Sequence, residues 1–111
     1  MSRKYKITYS PDALDDLKDV YSYIAYNLLE KNTARDLVIR IRAEIKTLNR
    51  FPERYPLVAW EPWHSHNVRT LLVGNFTAYY SVNNETDTVL IGRVMYAGRD
   101  VEGMVHEGRL Y

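Results

Sequence analysis

Apolar and polar residues alternate from Tyr5 to Tyr9, so the chain opens on a short strand with Tyr5, Ile7 and Tyr9 on one face and Lys6 and Thr8 on the other. Ser10-Pro11-Asp12 ends that period and starts a helix. Serine serves as N-cap, proline fits the first helical position, and an acid suits the first turn. Ala13, Leu14, Leu17, Val20, Tyr21, Ile24 and Leu28 then recur at spacings of three and four, the stripe of an amphipathic helix. Asn32 or Thr33 is the expected cap of a second helix with its stripe on Ala34, Leu37, Val38, Ile41, Ile45 and Leu48. Phe51-Pro52 stops it, because proline cannot continue a helix. The short link at Leu29-Glu30-Lys31-Asn32 makes the two helices an antiparallel hairpin.

Residues 51–67 keep no lasting period and hold three of the four prolines, which predicts an ordered loop. Residues 68–73, 76–82 and 88–96 read as three strands joined by Gly74-Asn75 and by Asn83-Asn84-Glu85-Thr86-Asp87, both turn-forming sequences. A helical turn around Met104, Val105 and His106 is expected in the tail. The order predicts an α+β domain over residues 1–111: an N-terminal strand, an antiparallel helical hairpin, then a three-stranded antiparallel meander, with the helices on one face of the sheet. The opposite face is expected to be partly open and to carry a site.

A length of 111 residues allows one domain, and the absence of cysteine excludes disulfides, thiolate nucleophiles and cysteine metal sites. No apolar run is long enough for a membrane span, and Met1-Ser2-Arg3-Lys4-Tyr5 lacks the apolar segment of a signal peptide, so a cytoplasmic location and no membrane partner are expected. The net charge is only +1, yet it is unevenly spread. Asp12, Asp15, Asp16, Asp19, Glu30 and Asp36 make residues 12–36 acidic, whereas Arg69, Arg93 and Arg99 with His64 and His66 make residues 63–99 the place where an anion would be welcome.

On the middle strand Thr77, Tyr79 and Ser81 alternate with Phe76, Ala78, Tyr80 and Val82, giving one hydroxyl-rich and one apolar face. Arginine supplies bidentate phosphate contacts and tyrosine stacks on bases, so Arg69, Arg93, Arg99 and Tyr79 are candidates for binding a target or nucleic acid, provided the arginines share the hydroxyl-rich face. His64 and His66 beside Glu61 resemble a metal cluster only superficially, and no metal is expected. Trp60 and Trp63, with Tyr55 and Pro62 in the irregular loop, read either as a cap on the core or as a docking surface; with no strand or helix period to explain them as core, they are candidate anchors for a protein partner. No nucleophile elbow, phosphate-binding loop or dinucleotide fingerprint is present.

Ser10-Pro11-x-Ala13-x-x-Asp16-Leu17, Leu48-x-x-Phe51-Pro52-x-x-Tyr55-Pro56, Arg69-x-Leu71-x-Val73-Gly74-Asn75-Phe76, Tyr79-Tyr80-x-Val82 and Ile91-x-Arg93-Val94-x-Tyr96-x-x-Arg99-Asp100, in that order, resemble the RelE/ParE toxin superfamily. The resemblance implies the toxin of a bacterial type II toxin–antitoxin pair, held by a small cognate antitoxin and needing neither cofactor nor small-molecule ligand. Two activities are implied: poisoning of DNA gyrase in ParE-like members, and cleavage of mRNA on the ribosome in RelE-like ones. A third reading is an inactive binding module that serves as corepressor with its antitoxin. Val73-Gly74-Asn75-Phe76 and the Arg93-Val94 to Arg99-Asp100 run are closer to the ParE-like branch. In the ribonucleases an arginine is usual where this chain has Thr77. A ribonuclease built here would be metal-independent, with Arg99 and Arg69 as cations and His106 as acid or base, His106 or Tyr111 matching the relatives' terminal acid only loosely.

Overall fold

The computed structural model describes residues 3–110; Tyr111 lies outside them. Strand β1 spans Lys6–Tyr9, helix α1 Pro11–Ser22, helix α2 Lys31–Lys46, strands β2, β3 and β4 Arg69–Val73, Phe76–Asn83 and Thr88–Tyr96, and helix α3 Val101–His106. The strands form one sheet in the order β1-β4-β3-β2. The meander β2-β3-β4 is antiparallel, and β1 joins parallel to β4, from Lys6 against Thr88 to Tyr9 against Ile91.

Local chemistry fixes most boundaries. Ser10 caps α1, its Oγ accepting the Ala13 amide at 3.0 Å. After Ser22 the helix widens into a π-helical turn, Tyr23–Asn27, so the apolar period continues to Leu28 although the α-helix does not. The second helix starts earlier than its expected caps: Asn32 and Thr33 lie inside the first turn of α2, behind Glu30, which makes no side-chain cap. Gly74 takes φ 58° at the first position of the β2-β3 turn, where a side chain would be strained.

The hairpin covers one face of the sheet as expected. Ala13 and Leu17 of α1 and Ile41 and Ile45 of α2 pack on Leu71, Val73, Ala78, Tyr80, Val89, Ile91 and Val94. The other face is less open than the sequence suggested. Val58 and Trp63 of the loop and Val101, Val105 and Leu110 of the tail close over Met95 in a second core. Val94 and Met95 are neighbours on β4 and therefore point to opposite faces, one into each core. Loop and sheet edge meet where Leu57 bridges to Arg69.

Candidate functional site

Strand β4 outruns β1. The pairing with β1 ends at Ile91, so the last part of β4 has β3 on one side and an open edge on the other. At that point Gly92 is an extra residue between the pairs Tyr80–Ile91 and Tyr79–Arg93, a bulge that turns the next residues toward the edge. Helix α1 fills the vacancy. Ser10 Oγ donates to the Gly92 carbonyl at 2.7 Å, and one turn and a half further on Asp16 takes the place of a neighbouring strand. Its Oδ2 accepts the Val94 amide and Arg93 Nε, and its Oδ1 accepts Arg93 Nη2, each at 2.8 Å. These bonds hold the Arg93 guanidinium charged, with its pKa above the ordinary value.

Beyond this clamp the π-helical turn and the end of β4 diverge and leave a groove of about 690 Å³. Val20, Ile24, Val94 and Met95 line it together with Phe76, whose ring meets Tyr96 edge-on at 5.8 Å. Tyr23, Leu28 and Tyr96 stand along it with 58%, 53% and 52% of their surface exposed, an apolar area that nothing in the described chain covers. Asp16, Asp19 and Arg99 supply its charges. Among the described residues Arg99 has no carboxylate within 4.0 Å.

The residues singled out from the sequence do not converge. Arg69 lies in register with Tyr80, on the helix-covered face, and folds back on the loop, donating to the carbonyls of Glu53 at 3.0 Å and Tyr55 at 2.6 Å. Arg93 is taken up by Asp16. Arg99 follows the far end of β4: from the Tyr80 level to the Phe76 level is about 14 Å of strand, before three further residues. The three arginines therefore do not share the hydroxyl-rich face, which was the condition for a common phosphate site. Tyr79 and Arg93 do come together as cross-strand neighbours, on a small pocket of about 120 Å³ that also touches Trp63, His66 and Ser81. Burial pushes the Tyr79 phenol up, keeping it neutral. His106 bonds through Nε2 to the Glu61 carbonyl at 2.7 Å, and His64 through Nδ1 to the Val58 carbonyl at 2.7 Å. Thr77 faces Met95 and Leu72 across the sheet, with no cation in its place.

The tryptophan expectation needs correction in its premise. Trp63 does have a place in a core: it is 4% exposed, stacks on Trp60 with centroids 4.9 Å apart and meets Tyr79 edge-on at 5.1 Å. A ring already buried by its own chain offers little surface to a partner. Trp60 is only half-buried and keeps a face toward the solvent.

Sequence reasoning missed Asp16 and the groove. One signal was present: Asp16 is an acid inside the apolar stripe of α1, between Ala13 and Leu17, and it is buried. Charge at a core position demands a partner. The groove carried no such mark: Leu28 fits the apolar stripe of the first helix, Tyr23 lies outside that stripe and Tyr96 ends β4, and only packing shows the three side by side and uncovered.

The family model for the ParE toxin of the type II toxin–antitoxin system parDE matches residues 7–101. No curated protein matches the sequence. Among solved structures the fold is similar to a chain of the chromosomal ParDE toxin–antitoxin system of P. aeruginosa, with TM-score 0.69 and 22% identity over 86% of this chain and 98% of that one. It is also similar to a chain of the RelBE2 toxin–antitoxin complex of Mycobacterium tuberculosis, with TM-score 0.58 and 19% identity over 84% and 91%. A chain of the archaeal RelE–RelB complex of Pyrococcus horikoshii gives TM-score 0.59 and 15% identity over 86% and 98%.

Proposed function

The chain belongs to the family of ParE toxins of type II toxin–antitoxin systems, and from that premise we propose that it stops bacterial growth by binding DNA gyrase and is neutralised in the cytoplasm by a small cognate antitoxin. The observation that carries this reading is the uncovered apolar groove between α1 and the end of β4. Inhibiting an enzyme by binding it requires a surface and no catalytic group, and a groove with exposed tyrosines and an arginine that has no carboxylate partner among the described residues has the composition of an energetic centre in protein interfaces. Arg99, without a carboxylate partner in the described chain, is the residue most available to a target.

Ribonuclease chemistry has less support. Metal-free cleavage at a 2′-hydroxyl needs a base, an acid and cations around one phosphate. Arg69 commits Nη1 and His106 its Nε2 to backbone carbonyls, and Thr77 supplies no charge. An antitoxin that is disordered when free must bury apolar area to offset the entropy of ordering, and Tyr23, Leu28 and Tyr96, with Trp60 on the loop, offer it.

Growth of cells expressing the chain alone, with and without the product of the short reading frame adjoining its gene, tests the toxin reading. The expected result is arrest alone and recovery with the partner. Normal growth at a verified soluble level would leave an inactive toxin-fold module acting as corepressor. Purified protein is expected to inhibit supercoiling by gyrase and to leave mRNA on programmed ribosomes intact, and cleavage in the ribosomal A site would replace gyrase by the ribosome as target.

A further inference from the structure

A second groove, of about 450 Å³, lies away from Arg99, between β1 and α2. β1 is the end strand of the sheet. Lys6 and Ser10 donate their amides to the carbonyls of Asp87 and Ile91 beside β4. In a parallel ladder the alternate residues then face outward, so the N–H and C=O groups of Ile7 and Tyr9 point away from β4, and among the described residues they have no hydrogen-bond partner. Such an edge is a template for another strand unless it is blunted by charge, proline or a covering segment. Here the charge is all of one sign. Arg42 and Lys46 stand one turn apart on the α2 flank of the groove, and neither has a carboxylate within 4.0 Å among the described residues. Arg42 lies over the Tyr9 ring at 4.9 Å, which holds the guanidinium at the groove. Ile39, 58% exposed, extends the apolar lining outward.

Unpaired backbone groups, an apolar floor and two unpaired cations are complementary to an extended peptide whose side chains alternate between apolar and acidic. We propose that the outer edge of β1 receives an acidic, extended segment of the antitoxin as an added strand, with its carboxylates on Arg42 and Lys46 and its apolar side chains on Ile7, Tyr9 and Ile39. The proposal rests on the toxin–antitoxin reading and adds a second contact to it, separate from the groove that carries Arg99. Backbone bonding supplies affinity that a disordered segment with few aromatic anchors otherwise lacks, and the cations select its charge.

The test uses the full chain and the product of the adjoining reading frame. The double variant R42E/K46E is compared with R42Q/K46Q and the wild type by titration, by thermal melting and by growth arrest. Reversal of both charges is expected to weaken the complex by about tenfold or more at low salt, with the glutamine variant in between, while growth arrest and melting stay as in the wild type. Hydrogen exchange separates strand addition from a mere charge effect: the amides of Ile7 and Tyr9 exchange freely in the toxin and are expected to become protected in the complex. Unchanged affinity in both variants, or unprotected Ile7 and Tyr9 amides in a tight wild-type complex, overturns the proposal and leaves the toxin reading standing. Loss of growth arrest in a variant that melts normally assigns the groove to the target and also overturns it. A wild-type chain that neither arrests growth nor binds the adjoining product overturns the toxin reading, and this proposal with it.

Discussion

Asp16 on α1 and Arg93 on β4, 77 residues apart, are joined by two bonds of 2.8 Å, and the same carboxylate accepts the Val94 amide at the edge that β1 leaves open. One side chain thus ends a sheet, neutralises a half-buried arginine and fixes the helix that forms the wall of the groove. The relationship explains why Arg93, a candidate for meeting an anion, is not free to do so.

Replacing Asp16 by alanine strands both the guanidinium and the amide. With the pair only partly exposed, the expected loss is about 2–4 kcal/mol of unfolding free energy. Asp16→Asn keeps an acceptor for Val94 and should lose less. Urea unfolding of the two variants gives the order, and equal stability of Asp16→Ala and the wild type would show that the clamp carries no weight.

Arg69 and Arg99 should part company. Arg69→Ala leaves the Glu53 and Tyr55 carbonyls without their donor and is expected to cost about 1–3 kcal/mol. Arg99→Ala should change stability by less than about 0.5 kcal/mol yet weaken growth arrest, because its charge is unused within the described fold. Melting curves beside growth curves of the same variants decide it. A stable Arg69→Ala that has lost toxicity would return Arg69 to the functional site.

Trp63 is expected to behave as a core residue. Trp63→Ala should cost about 3–5 kcal/mol, the range for a buried tryptophan, and Trp60→Ala, on the half-buried partner of the stack, clearly less. Denaturant midpoints measure both. A Trp63→Ala chain that melts with the wild type and binds the antitoxin poorly would restore the docking role given to it from the sequence.

Alkaline stability follows from Tyr80. The ring is buried and its hydroxyl donates to the Pro52 carbonyl at 2.6 Å, and burial pushes its pKa from 10.0 up to about 12. Between those values the unfolded chain has lost a proton that the folded chain keeps, so stability is full below pH 10.0 and falls as pH rises toward 12, by about 2–3 kcal/mol in all. Tyr9 and Tyr79, also raised by burial, add a loss of the same sign. Unfolding measured from about pH 9 to about pH 11 should therefore show a shallower decline for Tyr80→Phe than for the wild type, and identical slopes would remove Tyr80 as a source.

The sequence by itself determined the elements and the covered face of the sheet. Ser10-Pro11 for the start of α1, the three-and-four spacing of both helices, the Gly74-Asn75 turn and the alternation along β3 all act within a few residues, where backbone preference and side-chain period are local properties. The motif order was also enough for the family, since it samples the whole chain. What tertiary structure decided is every role that depends on residues far apart in sequence. Arg69, Arg93 and Arg99 look alike as letters; packing gave one to loop carbonyls and one to a carboxylate 77 positions away, and of the three Arg99 alone has no such partner among the described residues. Trp63 had no period to mark it as core because the surfaces that bury it, the end of β4 and the tail through Leu110, arrive from elsewhere in the chain. The open edges follow the same logic: which strand ends the sheet, and how far β4 outruns β1, is set by pairings between the two ends of the chain, and no local pattern records them.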